Sequence, residues 1–470
     1  MAVRFLCSNV QTNREKTMKL PIRSIVTART LLISIVSCFS LHTSAAHADD
    51  WTGWMGNQRD GVYRESGIID EIPASGLDVK WRTPISGGYA GPAVADGKVF
   101  VFDYQKTAGE AFNDPSKRAN MQGKERLLAL NEETGDVLWE HAYDCPYSIS
   151  YPAGPRCTPT VDGAYVYILG SESDLRCLKV ADGELVWKKT LKEEFAAEVP
   201  IWGFSSHLLV DGDLVYSMVG GNGQGVVAFD KLTGEVKWKA LDARAGYCPP
   251  SIIEAGGTRQ LIIFHPEGVA SLNPADGSQY WSFPGNAKYD MSITRPMKDG
   301  NLLYASSMKQ EAMLIELDSD SPKAKLLWSD QNPKKAVHCS NSTPMFVDGT
   351  IYGTDCIVGA LMAVDAKDGS RLWQTFEPTD PSEKRMLRHG TAFLTRVGDS
   401  DRYFVMSETG DLMMARLTPE KFESLGRFKT VEPSGEAFGR AVVWSHPAYA
   451  NRTAYIRNDK EIVAVDLAKP

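Results

Sequence analysis

Six segments of this 470-residue chain end in tryptophan and share one pattern: LLALNEETGDVLW (127–139), LRCLKVADGELVW (175–187), VVAFDKLTGEVKW (226–238), VASLNPADGSQYW (269–281), LIELDSDSPKAKLLW (314–328) and LMAVDAKDGSRLW (361–373). Each is an alternating run, a tight polar turn usually closed by Gly, and a second run that carries the Trp. Period-two alternation around such a turn is the signature of a β-hairpin. A second hairpin series, centred on Asp-Gly, lies upstream of most of them: AVADGKVFVF (93–102), TVDGAYVYIL (160–169), LVDGDLVYSM (209–218), MKDGNLLYAS (297–306) and FVDGTIYGTD (346–355). One unit is therefore four short strands, A to D, with Trp on strand D.

Counting Trp81, the series Trp81, Trp139, Trp187, Trp238, Trp281, Trp328 and Trp373 is spaced by 43 to 58 residues. Four-stranded units repeating at this period are the blades of a β-propeller. A further blade without Trp fits 388–429, with RYFVMSETGDLMMARL at its centre. The ends of the chain complete the count. GLDVKWRTPI (76–85) is a strand D with no partners before it, and KEIVAVDLAKP (460–470) stops after a strand C. If the first strand completes the last blade, no sheet edge stays open. The expected fold is all-β, an eight-bladed propeller over 77–470, preceded by a lead-in at 49–76.

Residues 1–48 read as an export signal. Lys19, Arg23 and Arg29 precede the apolar run 31–41, and Ala46-His47-Ala48 is a cleavage site of A-x-A type. The apolar run is too short for a membrane span. Met18 is an alternative start, and Cys38 an alternative, lipid-anchored mature end. After residue 48 the chain keeps 45 basic and 58 acidic side chains, a net charge near −13. With no basic run to offset it, that balance speaks against nucleic acid as a partner.

The repeat A-x-D-x-x-T-G-x-x-x-W resembles the tryptophan-docking motif of propellers of the pyrroloquinoline quinone (PQQ) type. Ala228, Asp230, Thr233, Gly234 and Trp238 reproduce it fully, and Ala363, Asp365, Gly369 and Trp373 nearly so. The lead-in WTGWMGNQRDGVYRES (51–66) is also similar to that of the family. The resemblance covers roughly 51–470 and implies eight blades, locked by each Trp packing near the Gly turn of its neighbour. It does not fix function. One branch of the family holds PQQ and calcium on the axis as dehydrogenases, often with a vicinal disulfide. Another, BamB-like, is non-catalytic and scaffolds barrel assembly in the outer membrane. This sequence has no Cys-Cys pair, no C-x-x-C-H haem motif and no evident Glu/Asn/Asp set for calcium.

The A–B and C–D turns are tight, so binding is expected on the opposite, D–A/B–C face, where connections are long: 103–125, 141–156, 190–203 and 376–389. The residues entering each inner strand are expected to ring the channel mouth: Tyr89, Arg156, Trp202, Tyr247, Arg295, His338, Arg388, His389 and Arg440. Aromatic rings with cations suit an anionic or planar ligand. His338 and His389, lacking a matched third ligand, read better as hydrogen-bonded side chains than as metal ligands. Six cysteines follow the signal. Cys145–Cys157 share a loop and Cys339–Cys356 flank the Asp348-Gly349 turn, so both are possible disulfides, although connectivity stays open. The Gly-rich run 220–225 lies between strands and reads as a blade loop rather than a phosphate cradle.

The favoured reading is a monomeric, exported scaffold or binding protein of the cell envelope, with a protein or glycan partner and no cofactor. The alternative is a periplasmic PQQ- and calcium-dependent alcohol or sugar dehydrogenase.

Overall fold

A computed structural model of the protein describes residues 50–308, 310–330, 332, 334–380, 382 and 387–470. The expected export signal, with Met18 and Cys38, lies outside the described residues. Among the described residues no helix is long and apolar enough to cross a membrane.

Eight four-stranded antiparallel blades make up the ring. Strands A to D of blade 1 are Ala93–Ala95, Lys98–Glu110, Asn120–Asn131 and Val137–Asp144; those of blade 3 are Leu209–Asp211, Leu214–Met218, Val226–Asp230 and Val236–Ala240. The middle strands are apolar almost without alternation, as at 99–102, 127–130 and 226–229, and these positions are buried. Blades stack face to face around the ring, so both surfaces of a middle strand are covered. The outer strand D alternates, leaving Val137 and Leu138 exposed beside the inward Trp139.

The Asp-Gly hairpins turn in two registers. In blades 1 and 6, Asp and Gly are both central residues at positive φ (Asp96 52°, Gly97 67°; Asp348 49°, Gly349 76°). Blade 2 pairs Asp162 with Tyr165, so Gly163 opens the turn instead. Both are primed geometries that match the strand twist.

The ring closes across the two ends of the chain. Ala448–Ala450, Thr453–Arg457 and Glu461–Asp466 form strands A to C of blade 8, and Val79–Pro84 is its strand D, with Trp81 opposite Ala464. Blade 7 (Ala392–Val397, Arg402–Ser407, Asp411–Leu417, Phe422–Lys429) carries no Trp.

Between blades, the indole N–H of each docking Trp reaches a backbone carbonyl at the C–D turn of the next blade. Trp139 donates to Val180 (3.1 Å), Trp187 to Lys231 (2.9 Å), Trp238 to Pro274 (3.1 Å), Trp328 to Ala366 (2.9 Å), Trp373 to Thr418 (2.8 Å) and Trp81 to Glu132 (2.9 Å). A strand-B tyrosine often shares that carbonyl: Tyr167 donates to Lys231 and Tyr216 to Pro274, each at 3.0 Å. The turn Gly is needed for contact. A Cβ at Gly234 would stand 2.8 Å from the Trp187 ring, at a φ of +72°. Trp281 departs from the pattern. Its neighbour's turn is the Gly-free DSDSPK, and its indole donates instead to Gln260 Oε1 of its own blade at 2.9 Å.

Two expectations are corrected. The segment 103–125 is not a long loop: strands B and C of blade 1 continue through most of it as a paired arm, Glu110 opposite Asn120, and only 111–119 connect them. Neither expected disulfide is formed; all six cysteines are buried thiols. Cys157 faces the carbonyls of Phe204 and Ser206 in the next blade, while Cys145 packs in the cluster of blade 1. Cys339 packs under Gly353, and Cys356 packs in a separate cluster with Met291 and Met308.

Candidate functional site

The lead-in decides the shape of the axis. Trp51 exchanges two backbone hydrogen bonds with Val94 of blade 1 (2.8 Å each), and Val161 of blade 2 donates to the Thr52 carbonyl (2.7 Å). The Arg59 guanidinium donates to the Leu208 carbonyl (2.7 Å) at the entry to blade 3, and Arg295, entering blade 5, donates to the Arg59 carbonyl. Val62–Tyr63 then runs parallel to the inner strand of blade 7, with Val62 beside Arg396. Residues 67–76 pass beneath blades 7 and 8, where Ile69 donates to Leu467 and Ile72 to Leu425 (2.8 Å each), before strand D begins. The channel is thus plugged from the A–B side.

Above the plug lies a cup of about 680 Å³ that opens on the D–A/B–C face. Trp51, Trp54, Met55 and Gly61 form its floor. Trp54 stacks on His207 (4.9 Å between centroids, 12° between planes) and meets His446 edge-on at 6.3 Å. Both histidines are held neutral. His207 Nδ1 accepts from the Thr158 amide at 2.9 Å, and burial, with the His446 and Arg59 charges behind it, drives the His207 pKa well below its usual range. Burial pushes His446 down to about 4. Burial and the adjacent Arg295 bring Arg59 down to about 9, so it stays charged at neutral pH.

Six of the nine residues expected at the mouth line the cup: Tyr89, Arg156, Trp202, Tyr247, Arg388 and His389. Tyr89 lies 5.1 Å from the Arg156 guanidinium, and Arg156 donates to the carbonyls of Ser150 (2.9 Å), Tyr151 (2.6 Å) and Gly154 (2.7 Å). Trp202 and Tyr247 meet at 5.6 Å. His389 Nδ1 is 3.0 Å from Ser340 Oγ, and its ring stacks on Phe438 at 4.9 Å, with Arg388 at 5.6 Å on Phe438.

Three do not line it. Arg295 is taken by the lead-in. His338 is sealed between blades, its ring 3.7 Å from Asp355, which also pairs with Arg371 at 3.1 Å. Arg440 sits in the short hairpin Gly435–Ala437/Arg440–Val442 and clamps the buried Glu408 through two bonds (2.8 and 3.2 Å), holding Phe438 and Trp444 over the cup. Counting entry positions around the ring assigned one residue to each blade and two, Arg388 and His389, to blade 7, but the plug and this hairpin displace some of them. Trp54, His207, His446 and Trp444 went unmarked. The lead-in's Trp/Gly richness was the available signal for Trp54; His207 and His446 carry no motif.

The donors present do not fit the calcium half of a PQQ site. Among the described residues Asp290 is the one carboxylate lining the cup, and Arg244 already pairs with it at 2.5 Å. No group of three or more His, Cys, Asp or Glu suited to a metal ion occurs among the described residues.

Fold and site together define an eight-bladed β-propeller with docked tryptophans and an axial cup floored by its own N-terminal segment. The family described as outer membrane protein assembly factor BamB matches residues 123–375 and 296–469, and the chain belongs to it. Outer membrane protein assembly factor BamB of Kangiella koreensis is 29% identical over 116 residues, which make up 24% of this chain and 26% of that protein, so the match spans little more than a quarter of the relative. Among solved structures, BamB from Moraxella catarrhalis superposes with a TM-score of 0.51 at 14% identity, covering 82% of this chain and 98% of that one. Quinohemoprotein alcohol dehydrogenase from Comamonas testosteroni gives 0.58 at 13% identity, covering 90% and 81%. At such identities the likeness is one of fold, and that fold serves both an assembly factor and an enzyme.

Proposed function

We propose that this protein is an exported scaffold of the cell envelope that serves outer-membrane protein assembly and binds its partner through the D–A/B–C face. The family match over most of the ring carries this reading. Two further features support it. The irregular connections and the cup gather on one face of an otherwise repetitive ring. That face also bears exposed aromatic side chains, Phe112, Tyr289 and Phe438, of the kind that anchor interfaces.

The test is site-specific photo-crosslinking in the envelope. Probes at Phe112, Tyr289 and Phe438 are expected to capture an outer-membrane assembly protein, whereas probes at Leu232 and Leu372, near the C–D turns, are not. Crosslinks confined to the second pair would overturn the choice of face. The dehydrogenase reading has its own check: PQQ with Ca²⁺ at 100 times its dissociation constant would stabilise a specific binder by about 2.7 kcal/mol. A melting shift of that size with dye reduction would replace the scaffold reading.

A further inference from the structure

At about 680 Å³ the cup is too small to admit a folded partner, so it poses its own question. Its walls carry two cations without acidic partners among the described residues. Arg156 spends its hydrogen bonds on backbone carbonyls and, at 3.4 Å, on Ser171 Oγ, leaving its charge uncompensated. Arg388 lies against the Phe438 ring. The two flank Tyr151: Arg156 donates to its carbonyl, and the Tyr151 hydroxyl lies within reach of the Asp114 carboxylate and, after it, of the Arg388 and Arg440 charges. In a chain of net negative charge, such a pocket concentrates an anion.

The rings of the wall are set at angles to one another: 41° for Trp202 and Tyr247, 49° for Tyr151 and Trp444, 53° for Phe438 and Trp444. A flat aromatic ligand is held best in a slot of parallel rings. The parallel pairs that line the cup, His389 with Phe438 and Trp54 with His207, are already closed on themselves at 4.9 Å each. Tilted rings instead offer separate apolar faces to a puckered body, and Asn341, Ser342 and Thr343 supply hydrogen-bonding groups on the wall. The volume suits a small ligand, and the floor of Trp51 and Trp54 stops a chain from threading through.

We propose that the cup binds a mono- or disaccharide bearing a carboxylate or phosphate, its anion between Arg156 and Arg388 and its ring faces on Tyr89, Trp202 and Trp444. The inference rests on the reading of this face as the binding face. Isothermal titration of the purified protein with D-glucuronate, glucose 1-phosphate, glucose, benzoate and a short acidic peptide tests it. One of the two charged sugars is expected to bind at least about tenfold tighter than glucose; which of them does so tells carboxylate from phosphate. Arg388→Gln should erase that preference, and Trp444→Leu should weaken the charged sugar by about tenfold. Arg156→Gln should act like Arg388→Gln, but Arg156 also ties its loop together, so the Arg388 variant, which has no hydrogen bond to lose among the described residues, decides. No saturable binding of either charged sugar up to about millimolar, tighter binding of benzoate or peptide, or an unchanged preference in Arg388→Gln would overturn the proposal. Crosslinking from Phe112 or Tyr289 in the absence of sugar binding would sink this inference and leave the scaffold standing.

Discussion

On the A–B/C–D face of the ring, tight hairpin turns recur from blade to blade and a Trp docks against nearly each of them. On the opposite face the connections share neither length nor sequence, and one of them folds into a hairpin of its own. The first face holds the blades together, and the second makes the cup. The lead-in joins them: residues 50–63 floor the cup, residues 67–76 cross under blades 7 and 8, and Val79–Pro84 closes the ring. A repeat can supply only what every blade needs, so a single asymmetric site has to come from the segments that do not repeat.

The most damaging way to break that division is to remove residues 49–85. Blade 8 then loses its outer strand and the axis loses its plug, exposing a sheet edge and the apolar channel. The expected result is aggregation, or a melting temperature lower by about 10 °C or more. An unchanged transition would refute the closure.

Trp187→Ala comes next. It leaves a cavity between blades 2 and 3 and removes one of the two donors to the Lys231 carbonyl, for an expected loss of about 3–5 kcal/mol in denaturant unfolding. Gly234→Ala strikes the same joint from the other side, with a Cβ driven into the Trp187 ring at a positive φ, and should cost about 1–3 kcal/mol. Trp281→Ala sharpens the comparison. Its hydrogen bond stays within blade 4, so a double-mutant cycle with the turn of blade 5 should show coupling below about 0.5 kcal/mol, against a larger value for Trp187 with Gly234.

Acidification tests the floor of the cup. His446, with its folded pKa near 4, and His207, which burial also drives well down, bind fewer protons folded than unfolded, where histidine titrates near its ordinary value. Their contribution is therefore intact above about pH 6.5 and is lost as pH falls through the folded values. Because His446 opens partly into the cup, its share is of the order of 2 kcal/mol between pH 7 and 4. His446→Gln should flatten that part of the stability profile, and a profile unchanged by the substitution would show that the floor does not carry it. The smallest effect is expected at the rim. Phe438→Ala should move stability by no more than about 0.5 kcal/mol, since the residue is already 41% exposed at the rim, while uncovering His389 and Arg388.

The sequence by itself determined the ring. Period-two alternation, Gly-closed turns and a recurring Trp are local signals, and most blades repeat them, so blade number and closure were legible and the family resemblance implied the docking contacts; the departure at Trp281 was not foreseen. It marked Tyr89, Arg156, Trp202, Tyr247, Arg388 and His389 as mouth residues because blade entries fall at countable places. Only the tertiary structure decided the rest. Trp54 lies far along the chain from His207 and His446, and Arg59 from Arg295; no period links them, because they meet through one segment crossing the axis rather than through strand pairing. The same holds for the cysteines. Cys339 and Cys356 sit evenly about a turn, yet they pack in different apolar clusters, Cys339 with Met345 and Tyr352 and Cys356 with Met291 and Met308, and which cluster a side chain joins is settled by packing.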